Sequence, residues 1–282
     1  MFFTRLFSGI VLVLIALVTL ITGGGLLAAI LLFISLVAFH ELCRAMRARE
    51  ELKKIDGLEI TGIVCIAAYY IVLYFSADKS IAVMTLTAGI MAFLFVYVIR
   101  FPRFHANQVA ASVFSYIYAP VMLSFIFLTR DLHYGKYIVW LILISSWGCD
   151  TCAYVVGMAF GKTIGNHKIF PKLSPKKSLE GCIGGVAGAV AIGALFGYFF
   201  VETVVTEQEV TWVFAVICGV GAVFSQMGDL AASAIKRNHD IKDYGKLIPG
   251  HGGIMDRFDS VIVTAPMIYF LARLLMSSAL IQ

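Results

Sequence analysis

Long apolar runs separated by short polar segments set the pattern of this chain. A helix of about 20 apolar residues crosses the roughly 30 Å hydrocarbon core of a bilayer. Runs of suitable length predict about nine membrane-spanning helices, at 6–22, 25–43, 58–76, 80–99, 109–128, 137–160, 179–201, 211–232 and 258–278. Eight spans are the main alternative, with the first two runs divided into one span and a re-entrant piece. Both plans predict an all-α fold, a polytopic membrane helix bundle.

The composition places the chain in the same class. Of its 282 residues, 60% are hydrophobic and 14% are charged. A soluble domain averages about 45–50% apolar and about 25% charged residues. The chain is therefore expected to be an integral membrane protein rather than a pair of soluble domains.

Basic residues concentrate on alternate loops. In the nine-helix plan, one set of loops holds 18 of the 22 Lys and Arg residues. Loops rich in Lys and Arg stay in the cytoplasm. This predicts a cytoplasmic N-terminus and places two long polar loops, 161–178 and 233–257, together on the cytoplasmic side.

The plan divides the chain into two regions. Residues 1–130 form N-terminal transmembrane helices, with a candidate surface for lipid or for a second copy of the chain. Residues 131–282 form a C-terminal region that contains both long loops and most of the candidate chemistry.

Two predicted spans contain acids within apolar sequence, Asp150 and Asp229. An isolated charge at the centre of a membrane helix costs roughly 2.5–3.5 kcal/mol on insertion scales. Such residues usually face a cavity, a partner or a metal ion; a buried Asp bonded to a neighbouring Ser or Tyr is the alternative. Asp229 has Ser225 and Ser233 four residues to either side, so one face of its helix is polar.

The segment Ser233–Asp259 is polar, basic and rich in glycine. Cations and backbone donors suit a polyphosphate, and paired carboxylates suit the hard metal ion that accompanies one. Asp256 and Asp259 are three residues apart, which puts them on one face of a helix. Stabilisation of the helix N-terminus is the alternative role for these acids. The basic and turn residues of the segment are Lys236, Arg237, Lys242, Lys246, His251, Gly252, Gly253 and Arg257.

The second polar loop ends in Ser174-Pro175-Lys176-Lys177-Ser178. Pro175 stops a helix, and Ser178 is placed to cap the span that follows. Lys176 and Lys177 could bind triphosphate oxygens as point charges, or could simply be solvated cytoplasmic residues. The glycines of the following span, 179–201, favour close packing of helices.

Other motifs indicate structural roles. The six cysteines lie in or beside apolar runs and are interpreted as small core residues, with no disulfide framework expected. His40-Glu41 lacks the second His of a zinc-protease helix, so His40 is interpreted as an interior or interfacial histidine. The sequence contains no phosphate-binding GxxxxGK[ST] loop and no dinucleotide-binding GxGxxG unit.

The polar segments resemble the signature of the phosphatidate cytidylyltransferases, or CDP-diacylglycerol synthases. The matching pattern runs without gaps: Ser233-x-Ile235-Lys236-Arg237, four residues, Lys242-Asp243-x-Gly245-x-x-Ile248-Pro249-x-His251-Gly252-Gly253-Ile254-x-Asp256-Arg257-Phe258-Asp259. Asp150-Thr151-x-Ala153-Tyr154, the Ser174–Gly181 loop and Gly228-Asp229-Leu230 are similar to the same family. Met158, where a basic residue is expected, and Ser178-Leu179, where Thr-Trp is commoner, depart from it.

The resemblance implies an activity and its site. The reaction is CTP plus phosphatidate giving CDP-diacylglycerol and pyrophosphate, with Mg²⁺ as cofactor, at the cytoplasmic face of a bacterial inner (plasma) membrane. Asp229 and Asp256 are the implied metal ligands, with Asp259 and Asp150 as further candidates. Membrane lipids and a second copy of the chain are candidate partners, and nucleic acid is not. The expected catalytic residues are Asp229, Asp256, Lys236, Arg237 and Arg257, and the expected substrate-binding residues are Ser174, Lys176, Lys177, Lys242, His251, Gly252 and Gly253.

Two other functions are compatible with parts of the pattern. A CTP-dependent transferase or kinase that acts on another lipid would use the same basic clusters. A transporter of an anionic solute would also contain acids inside its spans. The halves of the chain show no repeat, and the polar residues concentrate on one predicted side, which disfavours the transporter.

Overall fold

A computed structural model describes residues 2–46, 55–78, 80–160, 167–175, 177–202, 204 and 209–276. All regular structure in these ranges is helical, which confirms the predicted all-α class. Isolated β-bridges, Lys168 with Ser178 and Ile248 with Gly252, lie in the two polar loops.

The described chain contains nine apolar helices in series. Eight of them, α2 to α9, are long and apolar enough to cross a membrane, and α1 is apolar over its described side chains, Leu6–Thr22. The chain is therefore a polytopic membrane protein, as predicted. The helices are α1 Phe2–Thr22, α2 Gly24–Ala45, α3 Gly57–Phe75, α4 Ser80–Ile99, α5 Ala106–Arg130, α6 Gly135–Ala159, α7 Leu179–Val201, α8 Val210–Asn238 and α9 Met255–Leu275.

A sharp turn separates α1 from α2. Gly23 and Gly24 have φ angles of 64° and 53°, in the region that side chains other than glycine rarely adopt. The two helices are thus distinct elements joined by a glycine turn. Helix α2 is long enough to span a membrane, whereas the described apolar part of α1, Leu6–Thr22, is shorter.

Several helix ends differ from the sequence prediction, among them the end of α8 and the start of α9. Helix α8 continues to Asn238, six residues past the predicted end, and α9 begins at Met255, three residues before the predicted start. The end of α8 is polar but contains good helix formers, and Lys236 and Arg237 are favourable in the last turn of a helix. Hydropathy alone places the boundary where apolar sequence ends, so it misses these helical turns.

The chain divides into two compact units. Unit 1 comprises residues 1–127 and 238–257, and unit 2 comprises residues 128–237 and 258–282. The polar loop after α8 therefore belongs to the same unit as the N-terminal helices.

Unit 1 combines apolar packing with a few buried hydrogen bonds. Helix α2 packs against α3, and α5 packs against α2, α3 and α4. The Tyr70 hydroxyl lies 2.7 Å from the Ser35 hydroxyl and donates to the Pro120 carbonyl at 3.1 Å. Pro120 lies in a π-helical turn of α5, Ile117–Val121. Polar links of this kind between membrane helices stabilise their packing where water is absent.

Unit 2 depends on the glycines of α7. A Cβ at Gly184 would lie 2.4 Å from Val156, and a Cβ at Gly188 would lie 2.5 Å from Cys152, both on α6. The predicted close packing is thus confirmed, with α6 as the partner. All six cysteines are free, as expected.

Enlarging Gly188 should destabilise this packing. We expect Gly188→Leu to lower the thermal midpoint of the protein in detergent micelles, because overpacking a helix contact costs about 1–3 kcal/mol. Ala191→Leu is the matched control, since Ala191 is exposed on the same helix. Equal midpoints for the two variants would contradict close packing of α7 on α6 at Gly188.

Candidate active site

The loop between α8 and α9 folds into a tight turn within unit 1. The Ile248 amide donates to the Gly252 carbonyl and the His251 amide to the Ile248 carbonyl, each at 2.9 Å. Gly252 has φ of 85°, and a Cβ there would lie 2.8 Å from the Asp256 carboxylate. A side chain at Gly252 would therefore meet both backbone strain and a clash.

Asp256 holds this loop. Its Oδ2 accepts the amide of Tyr244 at 2.8 Å and the amide of Gly253 at 3.0 Å. The carboxylate is buried. The Gly253 amide, expected from sequence as a phosphate donor, is thus hydrogen-bonded to a protein carboxylate. Coordination of a metal by Asp256 stays a prediction.

Glu41 is a second buried carboxylate against the loop, and the sequence prediction missed it. Its Oε1 accepts the amide of Ile254 at 3.2 Å, and its Oε2 accepts that of Met255 at 2.8 Å. A Cβ at Gly245 or Gly253 would collide with this carboxylate. The available signal was an acid inside an apolar run, the criterion that selected Asp150 and Asp229.

A basic cleft of about 630 Å³ opens on the loop in unit 1. Lys242, Lys246, His251 and Arg257 line it, together with the backbone of the turn and Asp243. The Arg257 Nε donates to the His251 carbonyl at 3.1 Å, which fixes the guanidinium beside the turn. Four basic side chains around one cleft suit a polyanion such as a nucleotide phosphate chain.

Helix α1 supports one wall of this cleft. The Ser8 hydroxyl lies 2.7 Å from the Nδ1 of His251 and 3.2 Å from the Pro249 carbonyl, to which it donates. A hydrogen bond at one ring nitrogen of a histidine determines which tautomer the ring adopts. Ser8 therefore orients His251, a contact that the sequence pattern did not indicate.

Unit 2 contains Asp150 and Asp229, the two acids that the sequence analysis placed within predicted spans. A Cβ at Gly228 would lie 2.9 Å from the Asp259 carbonyl and 3.1 Å from Val263, so α8 and α9 approach closely at this glycine. Asp259 is buried and interacts electrostatically with Asp229, Asp150 and Lys236. The structure thus brings together three of the four predicted metal-ligand carboxylates. The predicted pairing of Asp229 with Asp256 joins residues of different units and stays a prediction.

Lys177 forms an ion pair with one of these acids. Its Nζ lies 2.5 Å from the Asp229 Oδ2 and donates to the Gln226 carbonyl at 3.4 Å. Ser178, the next residue, caps α7 by accepting the Gly181 amide at 3.2 Å, as predicted. The start of α7 therefore positions Lys177 beside the carboxylates.

A groove of about 330 Å³ adjoins the ion pair in unit 2. Its lining includes Asp150, Lys177 and Gln226 together with exposed Tyr154 and Met158. The groove thus offers charged and apolar contacts side by side, which suits an amphipathic ligand.

The remaining predicted residues are placed as follows. The Ser174 carbonyl accepts the Lys177 amide at 3.2 Å. Lys236 lies in the last turn of α8 and interacts with Asp259, whereas Arg237 is exposed beside it. Lys176 lies outside the described residues.

The carboxylates of unit 2 fit one mode of magnesium binding. Among the described residues, no group of three His, Cys, Asp or Glu side chains is arranged to hold a metal ion alone. Mg²⁺ is commonly bound through one or two carboxylates together with substrate phosphates, rather than by a complete protein cage. Asp229 and Asp259, with Asp150 nearby, can serve in that mode.

Removing the Ser8 hydroxyl should release His251. We expect Ser8→Ala to shift the imidazole nitrogen signals of His251 in ¹⁵N NMR towards those of a mixed tautomer population. Thr22→Val is the control, because that α1 hydroxyl bonds only carbonyls of its own helix. Unchanged His251 signals in Ser8→Ala would show that Ser8 does not orient the ring.

Comparison with known sequences identifies the family. The sequence model of the Cytidylyltransferase family matches residues 3–275. A phosphatidate cytidylyltransferase of Bacillus subtilis is 28% identical over 279 residues, which cover 96% of this chain and 97% of the relative. Enzymes of the same name from Staphylococcus epidermidis and Staphylococcus aureus are 31% and 30% identical, each over 95% of this chain and 97% of the relative. The chain belongs to the cytidylyltransferase family.

Proposed function

We propose that this protein transfers the cytidylyl group of CTP to phosphatidate, forming CDP-diacylglycerol and pyrophosphate. The relatives that align with 95–96% of its length are named for this activity. The structural observation that carries the proposal is the Asp229–Asp259 pair with Lys177, a charged cluster on apolar helices. Polar chemistry built into membrane helices suits an enzyme that joins a soluble nucleotide to a lipid.

The reaction needs no nucleophile from the protein. A phosphate oxygen of phosphatidate attacks the α-phosphorus of CTP, a new P–O bond forms, and the bond to the β-phosphate breaks with its electron pair leaving on pyrophosphate. Phosphoryl-type transfers depend mainly on positioning and on electrostatic stabilisation. Cations and carboxylates on rigid helices therefore suffice, and no Ser or Cys nucleophile is required.

The basic cleft of unit 1 is assigned to the nucleotide phosphates. Lys242, Lys246, His251 and Arg257 supply donors and positive charge at its walls. The glycine turn supports these side chains, while part of its backbone is committed to Asp256 and Glu41. Side chains thus take the main part in binding the phosphates.

The groove of unit 2 is assigned to the lipid phosphate. Lys177 lies at the groove beside Asp229, and Tyr154 and Met158 give it an apolar side. Lys236 and Arg237 add charge at the end of α8, and Ser174 and Lys176 belong to the loop before α7. A phosphomonoester with acyl chains matches this combination of charge and apolar surface.

Mg²⁺ is the proposed cofactor. Asp229 and Asp259 would hold it, with Asp150 and Asp256 as further candidate ligands. When bound, the ion supplies positive charge to the phosphate oxygens as negative charge develops on the leaving pyrophosphate. Lys177 and Lys236, next to the same carboxylates, keep the local charge balanced.

The proposed setting is the plasma membrane of a bacterium, with the active site facing the cytoplasm. The excess of Lys and Arg in loops on one side of the helix series supports that orientation. CTP is then available from the cytoplasm and phosphatidate from the adjacent leaflet. A homodimer is also proposed, and this orientation is compatible with either a monomer or a dimer.

Product analysis tests the proposed function. Purified protein with CTP, Mg²⁺ and phosphatidate is expected to release pyrophosphate and to form CDP-diacylglycerol, both measured by mass spectrometry. Release of CDP with diacylglycerol as acceptor would indicate a lipid kinase instead, and product with only ether-linked lipids would indicate another acceptor. Absence of any CTP-derived lipid would reject this class of function.

Asp259→Asn should nearly abolish turnover. We expect a loss of at least about 100-fold in kcat, because a group that supports charge stabilisation in the transition state contributes several kcal/mol. Asp78→Asn is the matched control. Asp78 is exposed, and its Oδ1 accepts the Ser80 amide at the start of α4, a hydrogen bond that the side-chain oxygen of Asn can also accept. A kcat for Asp259→Asn close to that of the control would remove Asp259 from the site.

A further inference from the structure

Two side chains of α2 form hydrogen bonds with the loop that lines the basic cleft. Glu41 accepts the amides of Ile254 and Met255, and Arg44, one turn later, donates through Nη2 to the Tyr244 carbonyl. Glu41 is 3% exposed, and its contacts span more than 200 residues of sequence. The loop is thus anchored to α2 at an internal residue, Tyr244, and at its junction with α9.

Glu41 occupies a position at which many proteins bind a ligand anion. The first amides of a helix have no partner within the helix, and their dipole favours a negative charge. At α9 that charge is the Glu41 carboxylate, which interacts electrostatically with Arg44 and Asp256. These amides are therefore satisfied before any nucleotide arrives.

Two glycines of the loop, Gly245 and Gly253, leave space for the Glu41 carboxylate. A Cβ at Gly245 would overlap Glu41 Oε1, and one at Gly253 would overlap both of its oxygens. The loop closes around the carboxylate from two sides, which leaves no room for a side chain at either glycine. Such enclosure fixes the loop backbone relative to α2.

We propose that Glu41 is a positioning residue for nucleotide binding, an inference that rests on the proposed function. Glu41 accepts hydrogen bonds from the first amides of α9 and thereby fixes the loop backbone. The fixed loop holds His251 and Arg257 in position in the cleft before CTP binds. CTP then binds without first ordering these groups, and preorganisation of this kind raises affinity. The phosphatidate groove, which unit 2 contains, does not depend on this contact.

Glu41→Gln tests the proposal with two readouts. The variant keeps one acceptor oxygen and loses the charge and the second acceptor. We expect the KM for CTP to rise by about 10- to 100-fold, the range for a lost charge-assisted hydrogen bond in a buried site. The KM for phosphatidate should stay within about twofold, because Glu41 is not among the residues that line the lipid groove. In parallel, hydrogen exchange of the peptide containing Gly253–Met255 should accelerate without nucleotide present.

Glu59→Gln is the matched control. Glu59 is as buried as Glu41 in the same unit, and it lies 2.6 Å from the Nδ1 of His40. Its variant should lower the thermal midpoint but leave the KM for CTP and the exchange of Gly253–Met255 unchanged. Glu41→Asp retains the charge with a shorter reach, and it should restore part of the affinity for CTP.

These measurements distinguish failure of the proposed function from failure of the role proposed for Glu41. If the unaltered protein makes no CDP-diacylglycerol, the proposed function fails; accelerated exchange in Glu41→Gln alone would still support the positioning of the loop. If the unaltered protein is active, an unchanged KM for CTP in Glu41→Gln overturns the inference. Equal effects of Glu41→Gln and Glu59→Gln on every readout would also overturn it.

Discussion

The structure depends on how an apolar helix accommodates a carboxylate. A charge within the hydrocarbon region is unfavourable unless a partner or a cavity compensates it. In this protein the Glu41 carboxylate accepts hydrogen bonds from two backbone amides, and Asp229 forms an ion pair with Lys177. The Glu59 carboxylate lies 2.6 Å from the His40 Nδ1. Each such contact joins two different elements of one unit, so the acids help to fix how the elements of that unit pack.

Carboxylates in the two units have different tasks. In unit 1, Glu41 and Asp256 bind backbone amides and thereby hold a loop in place. In unit 2, Asp229 and Asp259 lie among lysines, an arrangement suited to exchanging partners with phosphates and a cation. A carboxylate bonded to backbone amides acts as a fixed part of the structure, whereas one paired with mobile side chains can take part in chemistry.

Local sequence signals predicted much of this protein. Apolar run lengths predicted the helix series, Ser178 marked the cap of α7, and the glycines of α7 predicted close packing, for which the structure supplies α6 as the partner. The charged segment after α8 identified His251 and Arg257, which do share a cleft. All these features arise from residues that are near one another in the chain or that share a helix face.

Long-range contacts could not be predicted in the same way. Nothing near Ser8 or Glu41 in sequence indicates a partner in the loop before α9, because those contacts follow from tertiary packing. The extra turns of α8 and α9 were missed for a related reason. Amphipathic or charged helix ends carry little hydropathy signal, although capping and the helix dipole stabilise them. The membership of this loop in unit 1, with the N-terminal helices, likewise gives no signal in the local sequence.

The separation between Glu41 and Ile254, 213 residues, has a consequence for synthesis. At a translation rate of about 5–20 residues per second, α2 precedes its loop partner by roughly 10–40 s. During that interval α3 to α8 are made, but the segment that closes around Glu41 has not yet been completed. Unit 1 is thus completed only when residues 238–257 have been made, and a chain released before Met255 would leave an acid in the membrane without its native backbone donors.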